Sequence, residues 1–304
     1  MTCCHSLLVL LGPTGVGKTE VAVRLAQTLD CQIVSADSRQ LFREIQIGTA
    51  PPTAEQLAAA QHHFIGTHSI FDRYSAGQFE IDTIKLLTEI FEKQKVAMLV
   101  GGSMLYIDAV CKGIDNIPTV DDVTRTYWNN VYREKGLEFI QNKLRELDPK
   151  HFNEQVDIKN AKRMIHALEI CTITGRPFSE IRTGKTAKRN FKIVKTGLNL
   201  PRKILYNNIN MRVDKMIENG LTAEAEKLYP YRELNSLNTV GYKELFDCFD
   251  GKTSLEFAIE QIKRNTRHYA KRQLSWFRRD KEITWFEPHQ QNEILEFLKK
   301  QLHT

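Results

Sequence analysis

The amino-acid sequence predicts an α/β fold, a parallel sheet flanked by helices with a small all-α unit inserted in it. Three observations predict it. The segment Gly12-Pro13-Thr14-Gly15-Val16-Gly17-Lys18-Thr19 has the G-x-x-x-x-G-K-[ST] spacing of a phosphate loop and joins an apolar run to an amphipathic one. Further short apolar runs recur between longer amphipathic stretches, the texture of strands covered by helices on both faces. Between about 118 and 192 that alternation stops and the sequence turns helical and polar.

The first element is the strand Leu7 to Leu11, followed by the phosphate loop and the helix Glu20 to Leu29, whose Val21, Ala22, Leu25, Ala26 and Leu29 lie on one face. Glycines let backbone N–H groups of such a loop converge on phosphate oxygens at a helix N-terminus; Lys18 adds a point charge and the Thr19 hydroxyl can reach Mg²⁺. Strand, loop and helix together give a P-loop NTPase-like core that holds a diphosphate or triphosphate. A second strand, Cys31 to Ala36, ends in Asp37-Ser38-Arg39-Gln40. Residues past the carboxyl ends of parallel strands face the ligand crevice, so Asp37 lies beside the phosphate loop if strands one and two are close neighbours. There its carboxylate holds Mg²⁺ through water, acts as a general base, or simply caps a helix that follows.

A turn-rich segment, Ile47 to Pro52, leads to a helix from Ala54 to Gln61 and then to His62-His63, which is not a metal site by spacing. A helix from about Glu80 to Lys93 precedes the buried strand Val96 to Val100. That strand closes with Gly101-Gly102-Ser103, where ATP-hydrolysing relatives of the loop commonly place a Mg²⁺-binding Asp. This disfavours an ATP-driven motor and favours group transfer from a phosphate ester, with paired glycines that let the backbone approach a bulky ligand. The insertion holds helices at Asp121 to Lys135, Leu137 to Leu147 and Asn160 to Thr174, with Arg125, Lys162 and Arg163 on them; alone, those charges read as solvated. A last strand, Lys192 to Gly197, returns to the core before helices around Arg202 to Asn219 and Thr222 to Leu228, and a terminal helix from Leu255 to about Arg278.

At 304 residues the chain exceeds a minimal phosphate-loop domain, which sets the expected division: core 1–117 and 193–304, insertion 118–192. Hydrophobic content of 41% and charged content of 26% are those of a soluble globular protein, and no apolar run nears the ~20 residues of a membrane span. Without a basic segment ahead of Leu7, the N-terminus reads as the first strand of a cytoplasmic protein rather than a signal peptide. Six cysteines, among them Cys3 and Cys4, are scattered without a C-x-x-C and read as reduced and structural. Nothing demands more than a monomer. The net charge of +6 is concentrated: Lys263 to Lys281 holds many cations against the single acid Asp280, and a second basic stretch runs from Arg182 through Lys185, Arg189, Lys192 and Lys195 to Lys203. On the terminal helix Arg264, Arg267, Lys271 and Arg278 form one stripe, while Ile259, Ile262, Tyr269 and Trp276 form another. The basic stripe is either a solvated face or a contact for RNA phosphates.

The sequence resembles the tRNA dimethylallyltransferases, also called tRNA isopentenylpyrophosphate transferases. The matching segments are GPTGVGKT at Gly12 to Thr19, ADSRQ at Ala36 to Gln40, IGTA at Ile47 to Ala50, YSAGQF at Tyr74 to Phe79, LVGGSMLY at Leu99 to Tyr106, RMIHALEI at Arg163 to Ile170, TVGYKE at Thr239 to Glu244 and AKRQLSWFRR at Ala270 to Arg279. They run in family order across almost the whole chain. The resemblance implies transfer of a dimethylallyl group from dimethylallyl diphosphate to the exocyclic amine of the adenosine 3′ of the anticodon, in tRNAs reading codons that begin with U. It implies that the phosphate loop binds the leaving diphosphate with Mg²⁺, that Arg212 adds a donor, and that Asp37 takes the amine proton or orients the amine beside Ser103. The implied tRNA contacts are Asp37, Ser38, Arg39, Gln40, Ser103, Arg125, Lys159, Asn160, Ala161, Lys162 and Arg163, then Thr239 to Lys243 and the basic helix. Pro51 stands where the family usually has lysine, Ser103 where it has threonine, and Lys162 where it often has glutamine. Rival readings are an adenylate isopentenyltransferase, a phosphate-loop kinase and a non-enzymatic RNA-binding protein; the insertion and basic helix disfavour the first, and Lys18, Thr19 and Asp37 together disfavour the last.

Overall fold

The structure is a computed structural model that describes residues 5–184 and 186–302; Cys3, Cys4 and Lys185 lie outside the described residues. In chain order the elements are β1 (Ser6–Leu11), α1 (Lys18–Leu29), β2 (Gln32–Ala36), α2 (Ala54–Ala59), β3 (His62–His63), α3 (Ala76–Phe91), β4 (Val96–Gly101) and α4 (Met104–Lys112). The insertion contributes α5 (Asp122–Leu147), α6 (Ala161–Thr174) and α7 (Phe178–Ile181). The chain then continues through β5 (Lys192–Leu198), α8 (Arg202–Glu218), α9 (Leu221–Leu228), α10 (Tyr242–Phe249), α11 (Leu255–Phe277), β6 (Thr284–Phe286) and α12 (Gln291–Leu302).

The six strands form one parallel sheet in the order β3-β2-β4-β1-β5-β6. Every residue of β1 is buried, as a central parallel strand requires, and its alternation feeds two cores. Leu7, Val9 and Leu11 pack with α3, α4, α10 and α11, for example against Phe79, Ile107, Leu245 and Ile262. Leu8 and Leu10 pack with α1, α8 and α12, against Leu25, Ile209 and Ile294. β4 separates β1 from β2, so the two strands are not neighbours. The register nevertheless aligns their ends: Leu11 pairs with Gly101, and Gly101 with Ala36. Gly12, Gly102 and Asp37 therefore all leave the sheet at one edge.

That edge explains the two glycines differently from the expected approach to a ligand. A Cβ on Gly101 would run into the Ala36 carbonyl, and one on Gly102 into the Gln273 amide of α11. Their missing side chains admit protein, a neighbouring strand and a helix. The edge strands β3 and β6, and helix α12 after β6, extend the architecture beyond the four strands and terminal basic helix read from the sequence. Two- and three-residue strands carry too few residues for a periodic signal.

Residues 113–187 form a separate compact unit with its own core of Trp128, Ile140, Leu144, Met164, Ile165 and Leu168. Gly136 (φ 76°, ψ −174°) breaks α5 between the two helices expected from the sequence. The Asp148 carboxylate ties the unit internally, accepting from the N–H of His151 and from the N–H and hydroxyl of Ser179. Asp115 clasps the other end of the same segment, accepting from the N–H and hydroxyl of Thr183 and from the N–H of Gly184. The unit begins at Gly113 rather than 118 and ends at Ala187 rather than 192. The return point moves because Arg189 already belongs to the core: it donates to the Val110 and Ala109 carbonyls and pairs with Glu80 at 2.6 Å.

Candidate active site

The phosphate loop leaves β1 at the carboxyl edge and enters α1 through Gly17, whose φ of 95° lies in the left-handed region that favours glycine. Lys18 opens the helix and folds back, its Nζ donating to the carbonyls of Gly12 (3.0 Å) and Pro13 (2.9 Å). Burial pushes the Lys18 ammonium down to about 8; the Asp37 carboxylate opposes that shift and the Arg212 guanidinium adds to it. Val16 is buried in the α1-side core, so it offers a ligand only its backbone. Gly15 carries Asn208 of α8 on its carbonyl (3.4 Å), and the Thr14 N–H donates to Gln273 Oε1 at 2.9 Å.

Asp37 begins a turn. Its Oδ1 accepts the N–H groups of Arg39 (2.9 Å) and Gln40 (3.3 Å), so it caps this turn and not the expected helix, since the next helix begins only at Ala54, and no group among the described residues donates to Oδ2. Ser103 fastens the same turn from β4: its Oγ accepts the Ser38 N–H at 2.8 Å and donates to Ser38 Oγ at 3.2 Å. Tyr269 of α11 lines one cavity with Asp37, and burial with the Asp37 charge pushes its phenol up to about 12. The Arg39 guanidinium turns to the carbonyls of Asn235 and Ser236. Gln40 donates to those of Thr49 and Ala50.

Arg212 of α8 completes the constellation, donating from Nη2 to the Thr49 carbonyl at 3.1 Å. Burial lowers its pKa and Asp37 raises it, so the two groups sense each other's charge. Lys18, Thr19, Asp37, Arg212, Tyr269 and Gln273 all line one cavity of about 1030 Å³ at the carboxyl edge of the sheet. Its donor set suits Mg²⁺. The Thr19 hydroxyl has no partner among the described residues, and no cluster of three or more His, Cys, Asp or Glu is gathered among them. Mg²⁺ characteristically takes one or two protein oxygens and completes its shell with phosphate and water.

The remaining expected RNA contacts lie in the inserted unit. Lys159, Lys162 and Arg163 are exposed, Asn160 caps α6 by accepting the Arg163 N–H at 3.2 Å, and Ala161 is the first helical residue. Arg125 of α5 faces the buried Glu169 of α6 at 3.7 Å. Part of the basic sequence is structural: Lys195 is buried between Asp280 and Glu282, Lys263 pairs with Asp214, and Arg267 donates to Asn210. Arg264, Lys271, Arg272, Arg278 and Arg279 remain exposed on and just beyond α11. Tyr242, within the TVGYKE segment, is fully buried and so unavailable as a contact surface.

Sequence reasoning did not single out Gln273, which bridges the phosphate loop to β4 by accepting from Thr14 N–H and donating to the Gly102 carbonyl at 2.8 Å. Nor did it find Tyr269 as a site residue, or Glu224, which accepts the N–H groups of Gln46, Ile47 and Gly48. The only available signal was that Gln273 sits inside the AKRQLSWFRR segment.

Fold and site thus define an α/β protein with a phosphate loop, an acid and an arginine at one edge of a parallel sheet. A family model described as IPP transferase matches residues 40–280, and the chain belongs to that family. A tRNA dimethylallyltransferase 2 of Azobacteroides pseudotrichonymphae is 53% identical over 293 residues, 96% of this chain and 94% of that protein. A tRNA dimethylallyltransferase 1 of Bacteroides thetaiotaomicron is 52% identical over 96% of its length and 97% of this chain. Among solved structures, the full-length tRNA isopentenylpyrophosphate transferase of Bacillus halodurans superposes with a TM-score of 0.73 at 37% identity, covering 98% of this chain and 97% of that one. A eukaryotic dimethylallyltransferase acting on tRNA gives the same TM-score at 25% identity, covering 90% of this chain and 70% of that one.

Proposed function

We propose that this chain transfers a dimethylallyl group from dimethylallyl diphosphate to tRNA, at the exocyclic amine of the adenosine 3′ of the anticodon in tRNAs that read codons beginning with U. The observation that carries the reading is the single cavity in which a phosphate-loop lysine, an arginine and an aspartate sense one another's charge. The phosphate loop and Arg212 hold the diphosphate and take up the negative charge that grows as the allylic C–O bond breaks. Asp37 Oδ2 receives the proton that the amine gives up as the new C–N bond forms, and diphosphate leaves. Ser103 keeps the Asp37 turn in place. Thr19 is the residue that would hold Mg²⁺, whose charge neutralises the leaving diphosphate. The exposed cations of α11, with Arg125, Lys159, Lys162 and Arg163 of the inserted unit, supply attraction for RNA phosphates. No helix among the described residues is long and apolar enough to cross a membrane; the reading is of an enzyme that meets its tRNA in the cytoplasm and acts as a monomer.

The test is incubation with radiolabelled dimethylallyl diphosphate, Mg²⁺ and either unmodified tRNA or AMP. Label is expected in tRNA alone. Label in AMP, or ATP consumption with no transfer, would replace the reading with one of its rivals.

A pH dependence follows from Lys18. Its ammonium is held down to about 8, so the cation that meets the diphosphate is present below that pH and lost above it. Affinity for inorganic diphosphate, corrected for the anion's own ionisation, should be steady from about pH 6.5 to 7.5 and then fall by up to about tenfold per unit beyond about 8. Titration calorimetry across that range measures it. Lys18→Arg, which stays charged, should flatten the alkaline limb, and a wild-type profile that is already flat would show that this lysine does not titrate there.

A further inference from the structure

The segment Gln46 to Ala50 crosses the cavity wall with little in its own sequence to fix its shape. Its Ala50 sits at φ 42°, in the left-handed region that a non-glycine residue adopts only when its surroundings impose it. Ala50 itself is held by its N–H on the Ile47 carbonyl and by Gln40 on its own carbonyl, and the residues before it are held by Glu224 of α9. Its carboxylate accepts three consecutive backbone N–H groups, those of Gln46 (2.9 Å), Ile47 (2.9 Å) and Gly48 (3.0 Å), and the hydroxyl of Tyr242 at 2.6 Å. Gly48 lies flat against the Tyr242 ring, where a Cβ would come within 2.5 Å of the hydroxyl oxygen. Two residues of α9 and α10 thus clamp the segment.

What the clamp presents to the cavity is the next carbonyl. Thr49 is locked by its hydroxyl on the Ile45 carbonyl at 2.6 Å, and its own carbonyl accepts Arg212 Nη2 and Gln40 Nε2. Arg212 has no other hydrogen bond to the protein among the described residues, so this carbonyl is the one hydrogen-bonded contact that directs its guanidinium, beside the charge of Asp37. We infer that Glu224 is a positioning residue for diphosphate binding: it acts through the Gln46–Ala50 backbone to aim Arg212 into the cavity, with Tyr242 holding Glu224. The inference rests on the reading of the cavity as the dimethylallyl diphosphate site.

Glu224→Gln keeps the size of the side chain but replaces one acceptor oxygen by an N–H donor that faces N–H groups. A small displacement of an anchoring group is enough to cost about tenfold in binding. The KM for dimethylallyl diphosphate should rise about tenfold in this variant, with the KM for tRNA within about twofold of wild type. Tyr242→Phe, which removes one of the four donors and keeps the ring against Gly48, should raise the same KM by a smaller factor. Glu244→Gln is the matched control: Glu244 is also a buried carboxylate, accepting from Gly241 N–H and Asn265 at the start of α10, but its side chain bonds neither the Gln46–Ala50 segment nor Arg212. It should lower the melting temperature and leave the diphosphate KM alone, because loss of folded protein reduces only the apparent kcat. If wild-type protein transfers label to tRNA and Glu224→Gln leaves the diphosphate KM unchanged, or shifts it no more than Glu244→Gln does, the positioning role is overturned. If wild type transfers no label, it is the substrate reading that fails.

Discussion

Asp37→Asn should lower kcat for tRNA prenylation by about 10²–10⁴-fold, the range that a positioned proton acceptor contributes. The asparagine oxygen can still accept the N–H groups of Arg39 and Gln40, so the turn survives and only the charge and the proton-accepting oxygen are lost. Alanine would confound the two, because it also removes the cap. Affinity for tRNA, read by filter binding at fixed salt, should stay within about twofold, and the melting temperature should hold. Single-turnover transfer is the measurement that decides, since it isolates the chemical step from product release. A variant that transfers at the wild-type single-turnover rate would leave Asp37 with the capping role alone.

Lys18→Met should lower kcat/KM for dimethylallyl diphosphate by about 10²–10³-fold, the scale seen when one donor to a developing oxyanion is removed. The loss should show in both KM and kcat, because the ammonium meets the diphosphate before the C–O bond breaks and more strongly afterwards. The carbonyls of Gly12 and Pro13, now satisfied by Nζ, would lose their donor, so a few degrees in melting temperature accompany the kinetic effect. The KM for tRNA is the internal control and should not move. Full activity with normal diphosphate affinity would exclude the loop from binding this substrate.

The sequence made the centre of this molecule readable and its periphery much less so. β1, β2, β4 and β5 are short apolar runs at the sheet's middle, and Gly136 punctuated α5 where a left-handed residue was needed. Asp37 was legible because position after a parallel strand carries information, even though the condition attached to it was not met: β4 lies between β1 and β2, and strand register did the aligning instead. Edge elements β3 and β6 were hidden by their brevity. Gln273 and Glu224 were hidden for another reason. Each acts on a segment some 180 to 260 positions earlier in the chain, and their partners are backbone N–H groups, which every sequence has. Likewise Arg189 and Lys195 read as free cations because the carboxylates that neutralise them, Glu80, Asp280 and Glu282, are remote in sequence.

The place where the inserted unit interrupts the core bears on how the chain folds. β1 and β5 are adjacent, Ser6 pairing with Lys192, so this strand pair inside the sheet closes over nearly two-thirds of the polypeptide. Closing such a loop costs entropy that grows only with the logarithm of its length, about 0.6 kcal/mol for each doubling. Residues 113–187 make up less than half of that loop, so their presence adds less than about 0.6 kcal/mol to the closure of the sheet. Asp115, holding Thr183 and Gly184, brings the two ends of the excursion to one point and shortens the effective loop further. The architecture can therefore carry an independently packed helical unit between β4 and β5 in the chain at little cost in closure entropy, so that β1 and β5 find each other much as they would without it.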